Sequence, residues 1–388
     1  MEKNALLSPI VLGGIELKNR IWMAPLTRVR AETKVITQQN PDGTAIQLED
    51  RHIPGDMMLE YYCQRASSGL IIAEATIAMA GGFSTFYTEP GIYSAEQVAG
   101  WRRITDAVHA KGGHIFLQIY HGGRASTPLN NNGQPGVAPS PIPITSNGVR
   151  PFFNPTGQPI DHQMPRALEL EEIPRIVEGF AKATQNALGP AGFDGVEIHA
   201  ANGYLIDQFL RSSANQRTDK YGGSLENRAR LLLEIVDVCI AAADGDSKKI
   251  GVRLSPLNSF QSMKDDDPVG LTKYVCSALN ERRVGFVHLM RGDFFKQQEG
   301  DVITPAREHF KEGVLVVNMW YTPEEAEEAV RSGKLDAVAF GSMYVSNPDL
   351  VERIAQKAPL NAPNVDLYYT RGPEGYLDYP TLAATSSE

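Results

Sequence analysis

His199, Asn202 and Tyr204 fall within six residues of one another in the stretch GVEIHAANGYLIDQF, residues 195–209. They follow Gly195-Val196-Glu197-Ile198, a short apolar run with the composition of a buried strand. His199 and Asn202 have the spacing of neighbours on one helical turn, so both can point at one atom. Each can donate a hydrogen bond. Two neutral donors aimed at one oxygen make an oxyanion-type site, effective where negative charge develops during a reaction. The bland alternative is an imidazole satisfied by a local carbonyl and an asparagine capping the next turn. For a lone histidine on a strand that alternative is the better one; the full string is what weighs against it.

Polar residues collect at the ends of other apolar runs as well. RIWMAPLT (20–27) ends in Pro25, Leu26 and Thr27, with Arg28 next. GLIIAEATIA (69–78) holds Glu74, Ala75 and Thr76, and HIFLQIYH (114–121) holds Gln118, Tyr120 and His121. KIGVRLSP (249–256) carries Arg253 and Ser255, and VGFVHLMRG (284–292) carries His288 and Arg291. Some chemistries lack their residues. No strand carries His-x-His, which argues against a metal-dependent amidohydrolase, so no metal is expected. No lysine ends a strand core, which argues against a Schiff-base aldolase. No Gly-x-Ser-x-Gly elbow is present. What remains is a neutral hydrogen-bonding pocket with one deep arginine, suited to a flat polar heterocycle.

The elements that must carry these residues alternate. With VLVVNMW (314–320) and DAVAFGSM (336–343), the apolar runs number eight, each rich in Val, Ile, Leu or Phe on both faces. Strands read that way when both faces are covered, as in a parallel sheet. Helical text separates most of them. Ser94 is placed to cap a helix with Val98, Trp101, Ile104 and Val108 on one face. A second amphipathic stretch runs over 226–243, and Thr322-Pro323 opens a third that stops at Gly333. Repeated βα units point to an α/β fold, a (β/α)8 TIM barrel, with a doubly wound sheet as the alternative. No Gly-x-Gly-x-x-Gly follows a strand, which counts against that alternative. One domain over 1–388 is expected. The segment 8–20 alternates like a hairpin and should close the barrel's N-terminal end. Long segments at 29–56 and 122–168 follow strands 1 and 3, on the face where barrel enzymes keep their active sites.

Bulk properties agree. The 388 residues are 42% hydrophobic and 21% charged, with net charge -9. An acidic chain without a Lys/Arg run lacks the footprint of a nucleic-acid binder. Three scattered cysteines fit a reducing compartment. The N-terminus has no apolar signal region, and no run approaches the roughly 18 apolar residues of a membrane span. A cytoplasmic enzyme with no membrane or nucleic-acid partner is expected.

The opening string, followed by NQRTDKYGGSLENRAR (215–230), resembles the Old Yellow Enzyme family. So do NRIWMAPLTR (19–28), GLIIAEAT (69–76), FLQIYHGGR (116–124), VRLSP (252–256), DAVAFG (336–341), NPDLVER (347–353) and GYLDYPT (375–381), in order along nearly the whole chain. The resemblance implies a barrel that binds FMN tightly but non-covalently and takes electrons from NAD(P)H, NADPH being favoured. Pro25, Leu26, Thr27, Ala75, Gln118 and Arg253 would meet the flavin ring. Asn318, Trp320, Gly341 and Ser342 would lie toward its phosphate. His199 and Asn202 would hold the carbonyl oxygen of an α,β-unsaturated substrate while hydride passes from flavin N5 to the β-carbon, and Tyr204 would protonate the α-carbon. Tyr120, Phe260 and Tyr376 would wall the substrate pocket. NAD(P)H would use the same space, so no dinucleotide fingerprint is needed. Some similar members are called prostaglandin F2α synthases, so reduction of an endoperoxide, prostaglandin H2, stays open as a second activity. A flavin- or ligand-binding protein without turnover is a third option, against which Tyr204 argues. Monomer and homodimer are both open.

The chain departs from the family at Ser342, where many relatives carry an arginine after the Phe-Gly pair. One charge-assisted contact to the phosphate is then missing. Extensive dialysis of the purified protein should strip part of its FMN, read from the visible spectrum; full flavinylation afterwards would count against this.

Overall fold

The apolar runs form a closed parallel barrel. In chain order its strands are β1 (Ile21–Met23), β2 (Ile71–Ile77), β3 (Ile115–Tyr120), β4 (Gly195–Ala200), β5 (Ile250–Leu254), β6 (Phe286–Met290), β7 (Val314–Asn318) and β8 (Ala337–Phe340). Each pairs with the next, and β8 closes onto β1. The structure, a computed structural model, describes residues 4–39, 45–131, 133–145 and 161–385; the side chains of 35–39, 45–50 and 384–385 are outside that description.

Strand side chains alternate between the barrel interior and the helical shell. In β4, Val196 and Ile198 join the large apolar cluster shared with the helices, which leaves Glu197 and His199 for the interior. The floor of the barrel is a separate apolar cluster. Trp22, Leu70, Ile72, Phe116, Phe286, Val316 and Ala339 meet there with Leu12 and Leu17. The last two come from the antiparallel hairpin Ile10–Leu12 and Ile15–Leu17, so the segment 8–20 closes this end as expected. Trp22 lies edge-on to Phe286 at 5.4 Å.

The helices start where the sequence says they should. Ser94 and Gln97 make a reciprocal capping box on Ala95–Ala110. Ser224 caps Leu225–Ala242. Thr322 caps Pro323–Arg331, and Gly333 turns the chain at φ 74°. In the 29–56 segment, Glu32–Gln39 pairs antiparallel with Ala45–Ile53, and residues 40–44 lie outside the described residues. In the 122–168 segment, Val137–Ala138 pairs with Arg166–Ala167; residue 132 and residues 146–160 lie outside the described residues. Among the described residues no helix is long and apolar enough to cross a membrane, and no cluster of His, Cys, Asp or Glu could hold a metal ion.

Trp22→Ala opens a hole in the barrel floor. It should lower stability by about 3–5 kcal/mol, measured as a lower urea midpoint.

Candidate active site

Above the apolar floor the barrel interior turns polar. Glu197 lies beside Gln118 in register across β3 and β4. Arg253 lies between His199 and His288 across β4, β5 and β6. Glu197 is fully buried and satisfied: it accepts from Gln118 Nε2 at 2.6 Å and meets His288 Nδ1 at 2.8 Å. Arg253 lies just above. The residue is 7% exposed, and its guanidinium Nε is buried with no hydrogen-bond acceptor among the described residues. Buried polar groups nearly always have partners, so a cationic donor in this position is built for a ligand with acceptor atoms. Burial lowers the Arg253 pKa, opposed chiefly by the Glu197 carboxylate.

The three residues of the opening stretch come together by a turn, not by a helix as their spacing predicts. His199 is in β4, and Asn202 takes a left-handed backbone, φ 57°, a conformation asparagine tolerates well. The Asn202 amide N–H donates to Ser255 Oγ at 2.8 Å, and its Oδ1 accepts from Asn258 Nδ2 at 3.0 Å. That leaves the Asn202 NH2 as the outward donor. Tyr204 stands at the N-cap position of the helix Leu205–Leu210 without a side-chain capping bond, and its ring lies 5.2 Å from the His199 ring. Burial first, then the Arg253 charge, hold the His199 imidazole well below its usual range. It is neutral at pH 7, with one N–H to donate. Burial, and after it the Glu89 carboxyl, raise the Tyr204 phenol.

A cavity of ≈ 660 Å³ opens above this layer at the C-terminal ends of the strands. Pro25, Leu26, Thr27, Ala75, Gln118, His199, Asn202, Tyr204, Arg253, Phe260, Asn318, Trp320, Gly341 and Ser342 all line it. Ala75 reaches it because the β2–β3 register shifts between Ala73 and Thr76; such irregularities re-aim side chains beside active sites. Trp320 sits at the rim, 61% exposed. Two expected wall residues are not there. Tyr120 is buried behind the wall, its hydroxyl bonded to Glu89 and its ring edge-on to Tyr204. Tyr376 is stacked on Tyr61 at 4.1 Å, with the Arg30 guanidinium 4.5 Å from its ring. A turn at Gly375, φ 63°, carries Tyr376 inward, and that stack holds it away from the cavity.

The C-terminal aromatics that do reach the cavity are Tyr368 and Tyr369. Arg28 secures this segment by donating to Tyr368 O (3.0 Å) and Gly375 O (2.7 Å), and Arg30 donates to Tyr368 O at 3.0 Å. Gln261, Phe294, Phe295 and His162 also line the cavity and were not anticipated. Only the adjacent Tyr368-Tyr369 pair left a trace in the sequence. The others are brought in by loops whose course no periodicity encodes. Arg291, at the end of β6, turns away to pair with Glu325 and Tyr321.

The set fits FMN. It offers an unpartnered buried guanidinium, an amide from Gln118 that keeps its oxygen and second N–H, the Thr27 hydroxyl, and the flat apolar edge of Pro25 and Leu26. Residues 5–361 match the model of the NADH:flavin oxidoreductase / NADH oxidase family. The chain is 48% identical to the "Probable flavin mononucleotide-dependent alkene reductase" of Leishmania infantum, over 98% of each chain. The old yellow enzyme from Trypanosoma cruzi superposes with a TM-score of 0.88 at 41% identity, covering 97% of this chain and 99% of that one. A morphinone reductase solved in complex with tetrahydroNAD superposes with a TM-score of 0.86 at 39% identity, covering 98% of both chains.

Proposed function

The chain belongs to the NADH:flavin oxidoreductase / NADH oxidase family and is an FMN-dependent, NAD(P)H-using ene-reductase of the Old Yellow Enzyme type; from that premise we propose how its own residues carry the reaction. The observation that carries the proposal is the Arg253 guanidinium, buried without an acceptor, opening on the same cavity as His199, Asn202 and Tyr204. FMN, when bound, would supply the two-electron redox chemistry that couples NAD(P)H oxidation to reduction of an α,β-unsaturated carbonyl.

Pro25, Leu26, Thr27, Ala75, Gln118 and Arg253 would hold the flavin ring, with Arg253 supplying a positive charge that favours its reduced form. Asn318, Trp320, Gly341 and Ser342 would serve its phosphate. The His199 N–H and the Asn202 NH2 donate to the substrate oxygen. Their bonds strengthen as that oxygen becomes enolate-like, so they stabilise the transition state more than the ground state. Tyr204 gives its hydroxyl proton to the α-carbon. Residues 1–388 act together as one FMN-binding domain.

The variant His199→Ala/Asn202→Ala should keep its flavin and bind cyclohexenone or a para-substituted phenol at least about tenfold more weakly, a loss of about 1.4 kcal/mol. An unchanged phenol titration would refute the assigned roles. Tyr204→Phe should bind the enone normally but be reoxidised by it about 10²–10⁴-fold more slowly, measured by rapid mixing of reduced enzyme with substrate.

A further inference from the structure

One ring behind Tyr204, on the side away from the cavity, lies a carboxyl that the steps above do not use. Glu89 follows β2 on the way to the helix Ala95–Ala110 and is 0% exposed. It accepts from the Ser84 amide at 2.8 Å, the Ser84 hydroxyl at 2.6 Å, and the Tyr120 hydroxyl. No arginine, lysine or histidine among the described residues forms an ion pair with it. The Tyr120 ring stands 5.1 Å from the Tyr204 ring, at 79°. Both belong to a small apolar cluster with Ala75, Ile77 and Phe83. A charge on Glu89 therefore acts on Tyr204 through a medium that screens poorly.

The neighbouring elements carry few competing charges. His52, from the 29–56 segment, meets the Glu89 backbone oxygen through Nδ1, and burial keeps it neutral, with a pKa of about 4. Arg51 faces the Phe83 and Tyr87 rings. On β2, Glu74 is bonded to Tyr62 and the Arg28 amide. His199 and Arg253 face Tyr204 from β4 and β5, and Tyr369 faces it from the C-terminal segment.

We propose that Glu89 is a positioning residue for the protonation step: acting through Tyr120 on Tyr204, it lets the proton leave readily only while its own carboxyl is protonated. This rests on Tyr204 being the proton donor. In that step the Tyr204 O–H bond breaks as the C–H bond forms at the α-carbon, and Tyr204 is left as phenolate until water returns a proton. With Glu89 ionised, two anions share one dry cluster, which opposes the step. With Glu89 neutral, the repulsion is gone. Burial pushes the Glu89 carboxyl up to about 7, against the pull of the Ser84 and Tyr120 donors. After burial, Glu89 is the largest influence holding Tyr204 above its usual value.

The test is reoxidation of the reduced holoenzyme by cyclohexenone, followed by rapid mixing from about pH 6 to about pH 8.5. The unmodified protein should slow about tenfold across this range, the effect of about one unit in Tyr204 acidity. Glu89→Gln should remove the inflection. Tyr120→Phe takes away a hydrogen bond that favours the carboxylate, so its inflection should move to higher pH. Loss of packing alone would not abolish the inflection in one variant and raise it in the other. An inflection unmoved in both variants, with Tyr204→Phe slow, overturns the role of Glu89. Should Glu89→Gln not fold, an unmoved inflection in Tyr120→Phe decides against it. A Tyr204→Phe variant as fast as the unmodified protein overturns the donor assignment instead, and this proposal with it.

Discussion

A carboxylate in the middle of a barrel must be satisfied by the side chains around it, and the site is organised about that requirement. Glu197 takes Gln118 on one oxygen and His288 on the other, all three sealed from water. Burying a charge without such partners costs several kcal/mol. The arrangement therefore fixes the rotamers of Gln118 and His288 and leaves negative charge beneath Arg253. That charge offsets part of the cost of burying a guanidinium with no acceptor of its own. The apolar floor below, closed by the N-terminal hairpin, keeps water from entering from the other end. The polar layer and the sealed floor together make the top of the barrel a fixed surface on which a flat ligand can rest.

The parts of the wall outside the strands are held by the same rule, that buried polar groups must be paired. Arg28 and Arg30 donate to backbone oxygens of the C-terminal segment, and their guanidinium planes lie against Tyr61 and Tyr376. Tyr368 and Tyr369 reach the cavity because of this clamp. Asn202 is held likewise: Ser255 takes its backbone and Asn258 its side-chain oxygen, so its NH2 is the donor presented. The site thus separates its tasks. A buried cation serves the electron-rich ring, neutral donors serve the substrate oxygen, and a phenol in an apolar cluster supplies the proton.

Most of the fold was legible in the sequence, because it follows from local rules. Val and Ile on both faces of each short run dictate covered parallel strands, and Ser94 and Thr322 mark helix starts by chemistry that acts within one turn. Most of the site was legible too, since barrel geometry puts strand-terminal residues on one face. The sequence by itself determined that His199, Asn202, Tyr204, Gln118 and Arg253 would share one cavity. Only the tertiary structure decided how they face it. Asn202 gets there through a left-handed turn, Ala75 through a register shift, and Tyr369 through arginines some 340 residues earlier in the chain. Tyr120 and Tyr376 differ from it only in surroundings: aromatic rings pack as readily into cores as into pocket walls, and the choice rests on partners distant in sequence, Glu89 for one and Tyr61 with Arg30 for the other. Periodicity reports which face a residue occupies; it carries no information about which distant side chain will be waiting there.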